Sequence, residues 1–341
     1  MKTSAYSPDK FFEGIYDTHA APFADIASKE DCLQRCEDVK GKLREALAID
    51  KIPYKTENLS LNILKSENRR NYTIRTVSVE ICKDLKMLCY VLQPEKATEN
   101  GIVAFCGHGY GCRQIIRQSK SGKYRKINFF DNYQKNFAEA LAMQGHLVIV
   151  PEPIGFGEAK LQKDMWKPFY SSSCDTVSHH SLLYGFSAAS LRVYQVIRCI
   201  DILTKLYGCR HIGCMGISGG GLVSLYSACI DERIEKTCVC GYINTFKTSV
   251  LSMWHCPDNY IPGLLGIGDM YDFASAIAPR HLMMEFGRED KLFPIEGSRF
   301  AAQNIASVYE KAGARYNFTP VEFGGKHEVF LPLAIEFFSQ E

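Results

Sequence analysis

No uninterrupted apolar run in the chain approaches the roughly 20 residues that a bilayer-spanning helix needs, so no membrane span is expected. Neither sign of charge is in excess. The 40 basic and 38 acidic residues leave a formal net charge of +2, which argues against a nucleic-acid partner or an anionic membrane surface. The one basic cluster, at 113–126, lies in a loop-like stretch and reads as solvated surface. The first ten residues lack the apolar core of a secretory signal. There is no internal repeat and no low-complexity tract. No pair of C-x-x-C motifs exists, and Cys32/Cys36 and Cys238/Cys240 have no histidine at zinc-finger spacing, so neither a metal nor another cofactor is expected. Cysteine itself is plentiful, with 14 residues. Most sit inside apolar segments, as small buried groups do in a reducing compartment, and a cytoplasmic location is expected.

With 46% hydrophobic residues over 341 positions, the chain can bury a full core. Residues 1–27 read as an irregular, aromatic-rich arm. Residues 30–49 read as a helix with Leu33, Cys36, Leu43 and Leu47 on one face, stopped by Pro53. Residues 71–92 alternate like a hairpin. From about residue 101 apolar strands (102–106, 147–150, 211–215, 236–240, 282–286 and 318–323) alternate with helices (129–144, 188–206, 219–230, 297–312 and 329–339). The fold class is therefore α/β: a mostly parallel central sheet with helices on both faces, antiparallel opening strands and an N-terminal helical extension. The expected division is an arm and helix over 1–70 packed on a main domain over 71–341. Insertions near 157–187 and 242–272 follow strand C-terminal ends, where open sheets place ligands. Phe156, Trp166 and Trp254 are the expected aromatic pocket walls.

Gly216-Ile217-Ser218-Gly219-Gly220 spells G-x-S-x-G between a strand and a helix. A strand that bends sharply into a helix holds one hydroxyl out of the sheet in a cramped conformation. Gly216 and Gly220 are expected where a side chain would strike a neighbouring element. The helix N-terminus adds free N–H groups and positive dipole density beside Ser218. A serine hydroxyl still needs a base, and the base an orienting group. Asp290, in the loop after strand 282–286, is the best-placed carboxylate, with Asp269, Asp272 and Glu289 as rivals. His327, after Gly324-Gly325-Lys326, is the best-placed base, with His255, His179 and His180 as rivals. Gly107-His108-Gly109-Tyr110-Gly111 follows strand 102–106 and suits an oxyanion-binding loop, with Tyr110 and Gly219 as the N–H donors and His108 supporting the loop.

Over about residues 70–341 the chain resembles an α/β-hydrolase. The likeness rests on His108-Gly109-Tyr110-Gly111, Gly155-Phe156-Gly157-Glu158, the elbow at 216–220, Ala278-Pro279-Arg280, the G-x-x-D-x-x-x-P run at 287–294, and Gly324-Gly325-Lys326-His327. Together these are similar to the acetyl xylan esterase-like and dienelactone hydrolase-like branch, although a serine stands where dienelactone hydrolases usually have cysteine. The resemblance implies catalytic roles for Ser218, Asp290 and His327, oxyanion roles for Tyr110 and Gly219, and a cofactor-free serine hydrolase acting on a small-molecule, short-chain, carboxylic ester, possibly on a carbohydrate. Amide or peptide cleavage, and a non-catalytic binding role, are the alternatives.

Overall fold

The computed structural model describes residues 6–96, 98–109, 111–118 and 132–340. In chain order its strands are β1 (Asn62–Asn68), β2 (Tyr72–Cys82), β3 (Leu85–Pro94), β4 (Asn100–Phe105), β5 (Leu147–Pro151), β6 (His211–Ile217), β7 (Ile234–Cys240), β8 (His281–Gly287) and β9 (Phe318–Phe323). They form one sheet in the order β1-β2-β3-β5-β4-β6-β7-β8-β9. β1, β2, β3 and β5 pair antiparallel in succession, while every pairing from β5 through β4 to β9 is parallel.

Side-chain alternation along the strands explains why both faces are covered. In β4, Val103 and Phe105 join one buried cluster, and Ile102 and Ala104 join the other. In β5, Leu147 and Ile149 divide from Val148 and Val150 in the same way. The helices are α1 (Asp9–Tyr16), α2 (Lys29–Leu47), α3 (Phe137–Met143), α4 (Cys174–Leu183), α5 (Ala188–Lys205), α6 (Gly219–Ile230), α7 (Met270–Ser275), α8 (Ile295–Lys311) and α9 (Leu331–Ser339). Residues of α2, α5, α6, α7 and α8 fill the first cluster, and residues of α3 and α9 the second. Capping fixes where the longer ones begin. Ser28 accepts from Asp31 N at 3.1 Å at the start of α2, and Ser187 and Ser190 form a reciprocal box at the start of α5.

The N-terminal segment carries more regular structure than its sequence announces. Residues 9–16, read as part of an irregular arm, form α1, and Tyr16 anchors its end by donating to Asp269 Oδ2 at 2.5 Å. The polar stretch 62–68 is a strand on the sheet edge, its register set by pairing with β2. Helix α2 lies across α6, α7 and α8. Its Leu43 and Leu47 are fully buried, and the Cys36 thiol points to the Ser275 carbonyl at 3.8 Å. The helix expected over 129–144 is described from Phe137, and 129–131 lie outside the described residues. Of the 113–126 cluster, 119–126 lie outside them too; Arg113 pairs with Glu158 and stacks over Phe169.

The parallel register sets a common edge. Phe105 lies level with Gly216, Ile217 with Cys240, Cys240 with Glu285, and Gly287 with Phe323. The residues that follow, at 107–108, 218, 241, 288–290 and 324–327, therefore leave the sheet together at its carboxyl edge, where ligands of open α/β sheets gather.

Candidate active site

Ser218 is a non-glycine residue at φ 58°, ψ −125°. That region disfavours side chains and costs on the order of 1–3 kcal/mol unless its surroundings impose it. Here Ser218 N donates to Cys240 O at 3.0 Å, and Ser218 O accepts from Leu222 N at 2.9 Å in the first turn of α6. The flanking glycines are required by contact. A Cβ on Gly216 would lie 2.2 Å from Gly220 O, and one on Gly220 would lie 2.1 Å from Phe105 O. The helix can begin this close to the strands only because neither residue carries a side chain.

His327 Nδ1 and Asp290 Oδ2 are 2.7 Å apart, with the carboxylate side chain only 1% exposed. The other oxygen, Oδ1, accepts from Leu292 N at 2.8 Å and Phe293 N at 3.1 Å, so the carboxylate is held on both sides. The loops after β8 and β9 brace each other: Glu289 N donates to Gly325 O at 2.8 Å, and Arg288 N to Phe323 O at 3.0 Å. Tyr133 and Phe293 both lie near-parallel to the imidazole at 5.8 Å, with interplanar angles of 22° and 19°. Gly241, at φ +51°, leaves room for the ring, because a Cβ there would sit 3.2 Å from His327 Cε1 and Nδ1.

Two paths join Ser218 to His327. One is the backbone: Ser218 N bonds Cys240 O, and the next residue, Gly241, packs on the imidazole. The other is Tyr133. Its ring packs on His327, and its hydroxyl donates to His108 O at 2.6 Å, beside Gly107 and Ser218 Cβ. Among the described residues no hydrogen bond joins Ser218 Oγ to His327. Resting serine–histidine contacts are commonly loose and tighten around substrate.

Of the rival acids, Asp269 accepts from Phe246 N and Met270 N as well as Tyr16, and Asp272 closes a capping box on Asp269 N; both are occupied at the start of α7. Glu289 is exposed. Of the rival bases, His179 and His180 are exposed on α4. His255 lies 5.5 Å from the Phe293 ring, and burial pushes its imidazole below the usual range.

Gly219, first residue of α6, carries an N–H with no intrahelical acceptor. Its Cβ position lies 2.7 Å from His108 Cε1 and 2.8 Å from Nδ1, so the imidazole occupies the space a side chain would need. Tyr110 lies outside the described residues. Phe156 is buried, 4.8 Å from the His108 ring with Arg192 over its face, while Trp166 and Trp254 are 81% and 83% exposed. An open depression of about 750 Å³ adjoins His327 and Asp290, lined by Arg288, Lys291, Pro294 and Lys326 among others.

Sequence reasoning did not find three features. Tyr133 sits in a polar stretch with no motif. Glu152, after β5, is a buried carboxyl that accepts from the Cys112 thiol at 2.8 Å, and burial lifts it to about 7. A Cβ on Gly111 or Gly157 would lie 2.0 or 2.5 Å from Glu152 Oε1, so two glycines clasp the carboxyl. The third is a group around His108: Asp258, Cys174, Cys256 and the buried Arg192. Its members are scattered over 150 residues of sequence, with only C-x-D at 256–258 as a local hint.

No protein-family model matches the chain. The architecture is the α/β-hydrolase fold. A crystal structure described as a putative acetyl xylan esterase from Bacteroides fragilis superimposes with a TM-score of 0.76 at 13% identity, covering 94% of this chain and 83% of that one. A glucuronoyl esterase from Solibacter usitatus superimposes with a TM-score of 0.66 at 15% identity, covering 92% of this chain and 93% of that one. In sequence, the chain is 25% identical over 279 residues to the protein named "Putative hydrolase YtaP" of Bacillus subtilis (strain 168), covering 79% of this chain and 87% of that protein. Among the described residues no helix is long and apolar enough to cross a membrane.

Proposed function

We propose that the protein is a serine carboxylesterase that hydrolyses a short-chain ester, foremost an acetyl ester, carried by a carbohydrate. What supports this reading is that a strained serine turn, a buried, doubly held aspartate and the histidine it orients all leave the sheet at one edge. The structural likeness to proteins described as a putative acetyl xylan esterase and a glucuronoyl esterase supports an ester as substrate class and a carbohydrate as part of it, and the first of them supports the sugar as alcohol half.

In this mechanism Ser218 Oγ attacks the ester carbonyl carbon while its proton passes to His327 Nε2. Asp290 keeps the remaining proton on Nδ1 and stabilises the imidazolium. The N–H groups of Gly219 and Tyr110 hold the tetrahedral oxyanion, each donor contributing on the order of 3–4 kcal/mol to the transition state. The carbon–alkoxy bond then breaks, and the leaving oxygen takes the proton from His327. Water, deprotonated by His327, attacks the acyl-serine and releases the acid, and the proton returns to Ser218 Oγ. Trp254, exposed beside His255, offers an apolar face on which a sugar ring can stack.

A fluorophosphonate probe followed by a substrate panel tests the reading. Labelling of the wild type but not of Ser218→Ala is expected, with turnover of aryl acetates and acetylated sugars. Equal labelling of both proteins, or faster cleavage of aminoacyl amides than of any ester, overturns it.

A further inference from the structure

We propose that His108, Cys174, Cys256 and Asp258 form a binding site for a divalent transition-metal ion, with Zn²⁺ the ion that the donor set fits. The four donor atoms lie within 4.8 Å of one another. They come from three separate segments: the loop after β4, the first residue of α4, and the turn at 256–258 in the second insertion. One nitrogen, two sulfurs and one carboxylate oxygen make a donor set of the kind zinc takes in four-coordinate sites.

The His108–Asp258 geometry is the independent observation. His108 Nε2 is a buried ring nitrogen with no hydrogen bond, although Asp258 Oδ2 lies only 3.2 Å away. The two atoms are close but not aligned for donation. Zn–N and Zn–O bonds of about 2.0–2.2 Å at tetrahedral angles separate the two ligand atoms by roughly 3.3 Å. The observed 3.2 Å matches that separation, and a shared ion would satisfy a ring nitrogen that no aligned hydrogen bond satisfies. His327 and Asp290 show the contrasting aligned contact, at 2.7 Å.

Arg192 completes an outer layer. It is 2% exposed, anchored on Ile154 O at 3.1 and 3.3 Å and stacked on Phe156. From there Nη2 donates to Cys174 Sγ at 3.2 Å and Nη1 donates to Asp258. Hydrogen bonds of this kind orient ligating thiolates and carboxylates. Charge also closes: two thiolates and a carboxylate meet one guanidinium and a divalent ion, so the buried group is neutral as a whole. Such an ion would tie both insertions to the loop that carries His108 and so set that imidazole against Gly219. The zinc-finger spacings do not detect it, because each ligand belongs to a different part of the chain.

The test is metal content of the full-length protein, purified reduced from zinc-supplemented culture and measured by inductively coupled plasma mass spectrometry. About one equivalent of zinc per chain is expected. Cobalt(II) exchange should give the intense visible bands and thiolate charge transfer of a tetrahedral sulfur-containing site. Cys174→Ala and Cys256→Ala should each lower zinc affinity at least tenfold, whereas Cys209→Ala, in a buried thiol elsewhere, should leave stoichiometry unchanged. The wild-type measurements stand even if a variant fails to fold. The proposal is overturned if the reduced wild type holds less than about a tenth of an equivalent and shows no cobalt bands. It is equally overturned if the metal survives loss of both cysteines, or if peptide mapping of the native protein finds Cys174 and Cys256 joined as a disulfide.

Discussion

Two imidazole–carboxylate pairs reach the Ser218 turn, one through Gly241 and one through Gly219. In the first, His327 Nδ1 and Asp290 Oδ2 are aligned at 2.7 Å, and two backbone N–H groups hold the other carboxylate oxygen. Aromatic rings face the imidazole on Tyr133 and Phe293. In the second, His108 Nε2 and Asp258 Oδ2 are 3.2 Å apart without alignment, amid two thiols and a guanidinium. The residue types match, and the company they keep differs. A carboxylate that keeps a proton on one nitrogen leaves the second nitrogen to exchange protons with a hydroxyl. A histidine whose Nε2 faces a carboxylate and two thiols in a buried cluster, and whose Nδ1 fills the Cβ position of Gly219, has no nitrogen placed for that exchange, and suits fixing a loop.

The sharpest way to break this contrast is to remove each pair in turn. His327→Ala is expected to lower kcat on an aryl acetate by on the order of 10⁵-fold, with the circular-dichroism melt unchanged within a few degrees. Asp290→Asn should cost about 10⁴-fold, because the amide no longer fixes the histidine tautomer. Asp258→Asn should cost no more than about 100-fold while lowering zinc content, because it removes a carboxylate ligand of the proposed ion and leaves Asp290 and His327 in place. If Asp258→Asn and Asp290→Asn lower kcat equally, the two pairs are not functionally distinct and the division of labour fails.

A buried glutamate stands behind each pair, and pH sharpens the comparison between them. Glu152 holds the loop after β4 through Cys112, and Glu285 accepts from Phe330 N at 3.0 Å just past the His327 loop. Burial raises both carboxyls from 4.5 to about 7. A raised folded-state value means that the native protein keeps protons the unfolded chain has released. The stabilisation is therefore complete below about pH 4.5 and is lost as pH rises through 7. Each group is expected to lower stability by about 2–3 kcal/mol between pH 5 and pH 8. Urea melts across that range should show a shallower decline for Glu152→Gln and for Glu285→Gln than for the wild type. A wild type whose midpoint does not fall with rising pH contradicts the assignment.

What could be read from the sequence depended on how local the cause was. The strand–turn–helix at 211–230 is legible because the glycines that permit the bend sit within five residues of Ser218. Strands β4, β5 and β6 are legible because their cores are continuous apolar runs. Asp290 and His327 could be nominated from residue type and position just past successive strands, but their 2.7 Å contact depends on the bracing of two loops. Strand β1 carries no apolar alternation, since every residue but one is exposed, and pairing with β2 alone makes it a strand. Helix α1 carries an apolar face in Phe11, Phe12 and Ile15 but buries none of its residues, and eight residues give periodicity little length to act on. The His108 group is illegible for a different reason. Arg192, Cys174 and Asp258 each look like ordinary helix, cap and turn residues until the fold stacks the two insertions on the loop after β4.

Gly219 is where the second pair meets the Ser218 turn, and its substitution carries the smallest expected effect and the most specific one. Alanine favours a helix over glycine by about 1 kcal/mol, so Gly219→Ala should not destabilise α6 through propensity. The new methyl, however, would stand 2.7 Å from His108 Cε1 and 2.8 Å from Nδ1, inside van der Waals contact. Either the imidazole swings away or the first turn of α6 shifts, and the N–H assigned to the oxyanion moves with it. We expect about a tenfold loss in kcat, equivalent to roughly 1.4 kcal/mol, with a similar weakening of zinc measured by chelator competition. Chelator competition distinguishes the two movements. A fall in kcat with zinc affinity intact places the displacement in the helix, whereas a fall in both places it in His108 and couples the second pair to the Ser218 turn.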